Sequence, residues 1–132
     1  MPNHVIRGNY PIDTTFGKRF RELLKEKSKV AKKTISKFIG QGSSAFIGDG
    51  SSTFFVGLHM INQKLQATIW TNHLAIANEY ALQKKDDIDL SHMDMLLAGG
   101  QIDRDLMMTY DQDAEIYCAK WASKAQCVIL SV

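Results

Sequence analysis

Residues 45–54 read AFIGDGSSTF: an apolar run enters a cluster of glycines and hydroxyls, and an apolar segment leaves it. A short, unbroken apolar run suits a strand buried on both faces, the habit of parallel sheets. The spacing predicts a strand over 45–48 and a helix over 53–61 (TFFVGLHMI). Outward from there the pattern repeats. ATIW (67–70) is a second strand and HLAIANEYAL (73–82) a helix. HMDMLLAG (92–99) contains a third strand, DAEIYCAKWA (113–122) is a helix with Ile116, Tyr117 and Trp121 near one side, and QCVILSV (126–132) is a fourth strand. Strands separated by single helices predict right-handed βαβ units, hence an α/β fold with a parallel, Rossmann-like sheet and helices on both faces.

Upstream, 1–13 reads as extended or irregular, with Gly8 and Pro11 as breakers. Thr14 or Thr15 caps a helix carrying Phe16, Phe20, Leu23 and Leu24 on one face. A second helical pattern places Val30, Ala31, Ile35, Phe38 and Ile39 together and ends near Gly40 and Gly42; the two patterns read either as one bent helix or as two helices with a boundary at Ser28. The division expected is a basic N-terminal region (1–40) and an α/β core (41–132) within one compact domain; QKKDDIDLS (83–91) is a surface loop or edge.

The chain has 132 residues, 45% hydrophobic and 23% charged, the balance of a globular protein. No apolar run approaches the ~20 residues of a membrane span, and the start lacks the apolar core of a signal peptide, so a cytoplasmic location without membrane partners is expected. Cys118 and Cys127 have neither C-x-x-C spacing nor a histidine cluster, which argues against zinc and redox roles. Net charge is +2, but 1–40 holds ten of the sixteen basic residues against three acids, while the remainder holds six against eleven. A basic helix can lie along nucleic acid or be a solvated face; Phe20 and Phe38 suit helix packing better than base stacking.

In open parallel sheets, ligands sit beyond the carboxyl ends of the strands. Three features fall there: GDGSST after the first strand, TNH after the second and AGGQ after the third. Gly48 and Gly50 allow main-chain N–H groups to approach a ligand closely. Ser51, Ser52 and Thr53 add hydroxyls where a helix begins, and a helix N-terminus favours negative charge. The turn is neither a Walker motif nor a dinucleotide fingerprint, and Asp49 opposes a phosphate unless it points outward. Alone, it is equally a plain strand-to-helix cap. Thr71 and Asn72 either cap the next helix or meet ligand hydroxyls. Gly99 and Gly100 form a turn or clear room for a ligand. Arg104 is a candidate second phosphate partner and His73 a candidate acid or base beside the site, whereas His59 reads as packed.

With these motifs in order, the chain resembles the C-terminal ligand-sensing domain of DeoR-type transcriptional repressors. That domain is related in fold to ribose-5-phosphate isomerase, glucosamine-6-phosphate isomerase and coenzyme A transferases. RGNY near residue 7, FGKRF (16–20), KEKSKVAKKTISKFIGQGSSAFIGDGSST (25–53), TIWTNHLAIANEYAL (68–82) and MLLAGGQIDRD (95–105) carry the resemblance over nearly the whole chain. It departs at Gly48, where the repressors usually carry aspartate, at Asp111, where glycine is common, and at Asp103, where arginine is expected. The family's DNA-binding helix-turn-helix and its last segment, with a ligand-proximal lysine, have no counterpart here.

The resemblance implies a non-enzymatic sensor that binds a phosphorylated sugar or related metabolite. Gly50, Ser51, Ser52 and Thr53 would cradle the phosphate; Thr71, Asn72, Gly99 and Gly100 would line the sugar side. It implies no cofactor or metal, a homo-oligomer, and contact with DNA only through a helix-turn-helix outside this chain. The alternatives are a sugar-phosphate isomerase using Asp49, Asp103 or Asp105 as base, and a degenerate module that binds protein.

Overall fold

A computed structural model describes residues 6–83 and 93–131. The element order is α1 (Thr15–Arg19), α2 (Leu24–Phe38), β1 (Ser43–Ile47), α3 (Ser51–Asn62), β2 (Ala67–Thr71), α4 (Leu74–Ala81), β3 (Met93–Leu97), β4 (Gln101–Asp103), β5 (Met108–Tyr110), α5 (Gln112–Lys124) and β6 (Cys127–Ile129). Four strands form one sheet in the order β3-β2-β1-β6, all pairs parallel. The strands and single helices expected from the alternating pattern are therefore present. Helices flank both faces, for a reason set by strand alternation. Ala45, Ile47, Ala67 and Ile69 join Ala31, Ile35, Phe54, Leu58 and Ile76 of α2, α3 and α4 in one core. Phe46 and Trp70, register partners on the opposite face, meet α5, whose Trp121 stacks on Trp70 at 6.4 Å between ring centroids.

The N-terminal region belongs to the same core. Tyr10, Phe16 and Phe20 pack against Phe54 of α3 with ring centroids 5.4–5.9 Å away, so the described parts of 1–40 and 41–132 share one interior. Thr14 caps α1 by accepting a hydrogen bond from Gly17 N. The helix boundary lies at Leu23, not Ser28: Leu23 takes a left-handed backbone (φ 53°) before α2 begins. Ser28 instead sits inside α2, buried, 2.8 Å from His59 Nε2 of α3. Leu23, Leu24, Val30 and Phe38, grouped with packed faces by their spacing, are exposed. Short apolar spacing does not distinguish a helix's buried stripe from its flanks when the neighbouring element is unknown.

The hairpin β4–β5 is absent from the sequence-based expectation, since three-residue strands carry almost no periodicity. It docks on the β2–α4 turn through Leu74 N to Met107 O and Thr109 N to Asn72 O, and on α1 through Phe16 N to Asp105 O. Most of the predicted loop at 83–91, and the start of the extended segment at 1–13, lie outside the described residues. No helix among the described residues is long and apolar enough to cross a membrane.

Close α3–α4 packing rests on Gly57, where an added Cβ would lie 2.8 Å from two atoms of the buried Ile76. On an exposed helix, Gly→Ala gains about 1 kcal/mol, while overpacking a core costs roughly 1–3 kcal/mol. Gly57→Ala is therefore expected to lower stability by about 1 kcal/mol. A urea midpoint that rises instead shows that Ile76 can yield.

Candidate functional site

β1 leads through α3 to β2 on one side, while β6 pairs on its other side. The strand order thus changes direction at β1/β6, the place where an open parallel sheet forms a crevice at its carboxyl ends. A cavity of about 200 Å³ opens there, lined by Phe16, Arg19, Asp49, Gly50, Ser51, Leu106 and Ser131. That is small beside the ~300–1,000 Å³ of drug-sized pockets and fits a small metabolite. α1 supplies one wall and the β4–β5 hairpin tip another.

Gly50 is the N-cap of α3, with φ 127°, a backbone that favours glycine, and an added Cβ would lie 2.7 Å from Ser131 Cβ. No side chain caps α3, in contrast to α1, capped by Thr14, and α5, capped by Asp111. The first turn of a helix has N–H groups without intrahelical acceptors, so this end is open to an anion. Ser51 borders the cavity and Ser52 is exposed. Thr53 is buried and its hydroxyl donates to Gly50 O at 3.0 Å, so it braces the turn.

A lysine reaches this helix end from another element. Lys27 of α2 donates from Nζ to Ser51 Oγ at 3.0 Å and also to Arg19 O. Partial burial holds its pKa below the ordinary lysine value. Arg19 adds a second cation to the lining. Sequence spacing alone missed both, because ten basic residues in 1–40 read as one solvated face. The available signal was Lys27's place one helical turn before the buried Ala31, on the inward side of α2.

On the other flank, Asp49 Oδ1 lies 3.5 Å from Asn72 Nδ2. Asn72 is 8% exposed, and its Oδ1 has no hydrogen-bond partner among the described residues. Thr71 is fully buried; its hydroxyl donates to Ile47 O and accepts from His73 N, so it ties β1 to the β2–α4 turn. The N-cap of α4 is His73, not the Thr-Asn pair, and no side chain caps that helix. His73 is fully buried between Phe16 and Phe54, and its Nε2 donates to Gly50 O at 2.7 Å. Burial lowers its pKa to about 4 against the opposing pull of Gly50 O and Asp49. A neutral imidazole committed to a backbone carbonyl positions Gly50 and has no proton to exchange with a ligand.

The remaining candidates are placed apart from this lining. Gly99 has open space around it. Gly100 accommodates the chain instead: a Cβ would lie 2.6 Å from Tyr110 O and 3.0 Å from Asp111 Oδ1. Asp111 holds φ 110°, a conformation that favours glycine, while its carboxylate accepts from Gln101 N and Ala114 N. Arg104 lies on the surface, 3.9 Å from Asp13. Asp105 accepts from Thr15 N and Thr15 Oγ1 and so fastens the hairpin to α1. Burial pushes the Cys118 and Cys127 thiols up, away from the reactive thiolate. Among the described residues, no three His, Cys, Asp or Glu side chains converge to hold a metal ion. Compared with models of protein families, with curated proteins and with solved structures, the chain matches none.

Proposed function

We propose that this protein is the effector-sensing part of a DeoR-type regulator and binds a phosphorylated sugar without turnover, as a homo-oligomer. The observation that carries the reading is a pocket with two chemically different ends. The uncapped α3 N-terminus, with Lys27 at Ser51 Oγ and Arg19 in the lining, suits an anion. The Asp49–Asn72 side offers acceptors and an amide donor for hydroxyl groups. An anionic, polyhydroxylated small molecule satisfies both. In this reading Gly50, Ser51 and Ser52 meet the phosphate, Thr53, Thr71 and His73 hold the turn in shape, and Asn72 meets the sugar. Operator contact belongs to a helix-turn-helix outside this chain.

Thermal shift with a panel of sugar phosphates and the matching unphosphorylated sugars tests this. A ligand at 100 times its Kd stabilises the fold by about 2.7 kcal/mol, a rise of several degrees at this size. The rise should require the phosphate. Lys27→Met removes a charge-assisted contact worth roughly 1.5–3 kcal/mol, so Kd should increase about 10- to 100-fold. Ser51→Ala combined with Ser52→Ala should also weaken binding. Affinity unchanged in both variants would remove the phosphate from this helix end.

One observation favours a second reading: Asp49 places a carboxylate in the cavity lining, as an aldose–ketose isomerase requires. His73 supplies no partner acid because its ring is held on Gly50 O. Incubation with ribose 5-phosphate or glucosamine 6-phosphate is expected to leave the sugar unchanged. Product formation that Asp49→Asn abolishes would replace the sensor reading with the enzymatic one.

A further inference from the structure

Asp49 conflicts with a ligand whose only charge is a phosphate. It directly precedes Gly50, the N-cap of α3, and stands in the same cavity lining as Gly50, Ser51 and Arg19. It is half-buried, and no lysine, arginine or histidine among the described residues forms an ion pair with it. Its side-chain hydrogen bonding among those residues is the 3.5 Å contact from Asn72 Nδ2, at the outer limit of such a bond. An ionised carboxylate accepts at roughly four lone-pair sites, so most of its capacity is open. Burial sets the direction of the pKa shifts at His73 and Cys118, and the Asp49 charge acts on both as well. With Gly50 O it opposes the fall at His73, and it adds to the rise at the Cys118 thiol.

The pocket therefore carries charge of both signs. At the start of α3, the open N–H groups, Lys27 and Arg19 suit an anion. On the other flank stand acceptors: the Asp49 carboxylate and the Oδ1 of Asn72, a residue only 8% exposed, with no hydrogen-bond partner for that oxygen among the described residues. A hydroxyl brings one proton to this flank and no charge. A protonated amine brings three donors and a positive charge, and charge-assisted hydrogen bonds are roughly twice as strong as neutral ones. The amine also offsets the repulsion between Asp49 and a phosphate, which a hydroxyl does not. One cavity of about 200 Å³ holds both ends, so both charges belong to one small molecule.

We propose that the ligand is a zwitterion, a sugar phosphate that also bears a protonated amine, with its phosphate at the start of α3 and its ammonium on Asp49. The assignment rests on the sugar-phosphate reading of the pocket and narrows it. Asp49 is then the residue that determines specificity: it selects against sugar phosphates that bring no positive charge.

Isothermal titration calorimetry on the full chain, at pH 7 in EDTA, compares glucosamine 6-phosphate, glucose 6-phosphate, N-acetylglucosamine 6-phosphate and ribose 5-phosphate. The three hexoses differ at one substituent: an ammonium, a hydroxyl or an uncharged amide. Glucosamine 6-phosphate should bind about tenfold or more tighter than the other three. Asp49→Asn keeps the shape and removes the charge. It should weaken glucosamine 6-phosphate about tenfold and tighten glucose 6-phosphate, from which it lifts a repulsion. A merely structural role would move both ligands in the same direction. EDTA removes any divalent ion that offsets Asp49 in the amine's place; glucose 6-phosphate becoming the tighter ligand once Mg²⁺ is supplied would overturn the amine. Glucose 6-phosphate or ribose 5-phosphate binding as tightly as the amino sugar would also overturn it, while leaving the sensor reading in place. Binding by none of the four would remove both.

Discussion

Glu79→Ala is expected to destabilise this protein by roughly 3–5 kcal/mol, because it strips a buried charge from the donors that surround it. Glu79 lies on α4 with no exposed surface. Its carboxylate accepts from Arg7 N and Gly8 N at 2.7 Å each and from the Tyr10 hydroxyl at 2.5 Å. Burial, with this carboxylate alongside, raises the Tyr10 pKa, so the hydroxyl stays protonated and donates. Alanine leaves two half-buried backbone N–H groups and the buried Tyr10 phenol without this acceptor, and adds a cavity. Glu79→Gln retains the shape and one acceptor, so its cost should be about half. Tyr10→Phe should cost about 1–2 kcal/mol. Urea unfolding at constant m-value ranks the three; a Glu79→Ala loss below about 1 kcal/mol would show that the 7–10 segment is not held this way. The effect should reach the pocket, because Tyr10 packs on Phe16, which lines it.

Acidification is expected to remove roughly 3 kcal/mol through His73 alone. Its folded pKa is about 4 against an ordinary 6.5, because burial disfavours the charged ring. Above pH 6.5 both folded and unfolded states hold it neutral, and the full stability is present. Between 6.5 and about 4 only the unfolded state takes the proton, so stability falls. Below about 4 both states are protonated and the loss levels off. At pH 5 the loss should be about 2 kcal/mol. Protonation also adds an N–H at Nδ1, where no hydrogen-bond partner stands among the described residues. Urea midpoints at pH 7.5 and 5 for the protein and for His73→Gln isolate this contribution, since every other group is common to both. Equal pH dependence in the two proteins would overturn the assignment. Through His73, ligand affinity of the folded protein should change only as the pH approaches about 4, where the ring that holds the Gly50 carbonyl at the start of α3 itself takes a proton.

Lys27 and Gly50 both meet the start of α3, yet they differ in legibility. Gly50 was visible from local chemistry: a glycine between a strand and a helix, followed by hydroxyls, marks a helix N-terminus whatever surrounds it. Lys27 was one of ten cations in 1–40, and only the packing of α2 on α3 distinguishes it from the rest. Arg104 shows the reverse. Its position just after AGGQ suggested a phosphate partner, but the unforeseen hairpin carries it to the surface beside Asp13 and sends Leu106 to the cavity instead.

By itself, the sequence determined the alternation of strands and helices, the parallel sheet and which turns stand at the carboxyl ends of its strands. Those follow from periodicity, burial and turn chemistry, which act over a few residues. Tertiary structure alone decided the strand order that opens a crevice between β1 and β6. It also decided which lysine meets α3, and that His73 serves Gly50 instead of a ligand. These are contacts between residues more than twenty positions apart. Their choice depends on summed packing free energy over the whole core, which no local pattern encodes.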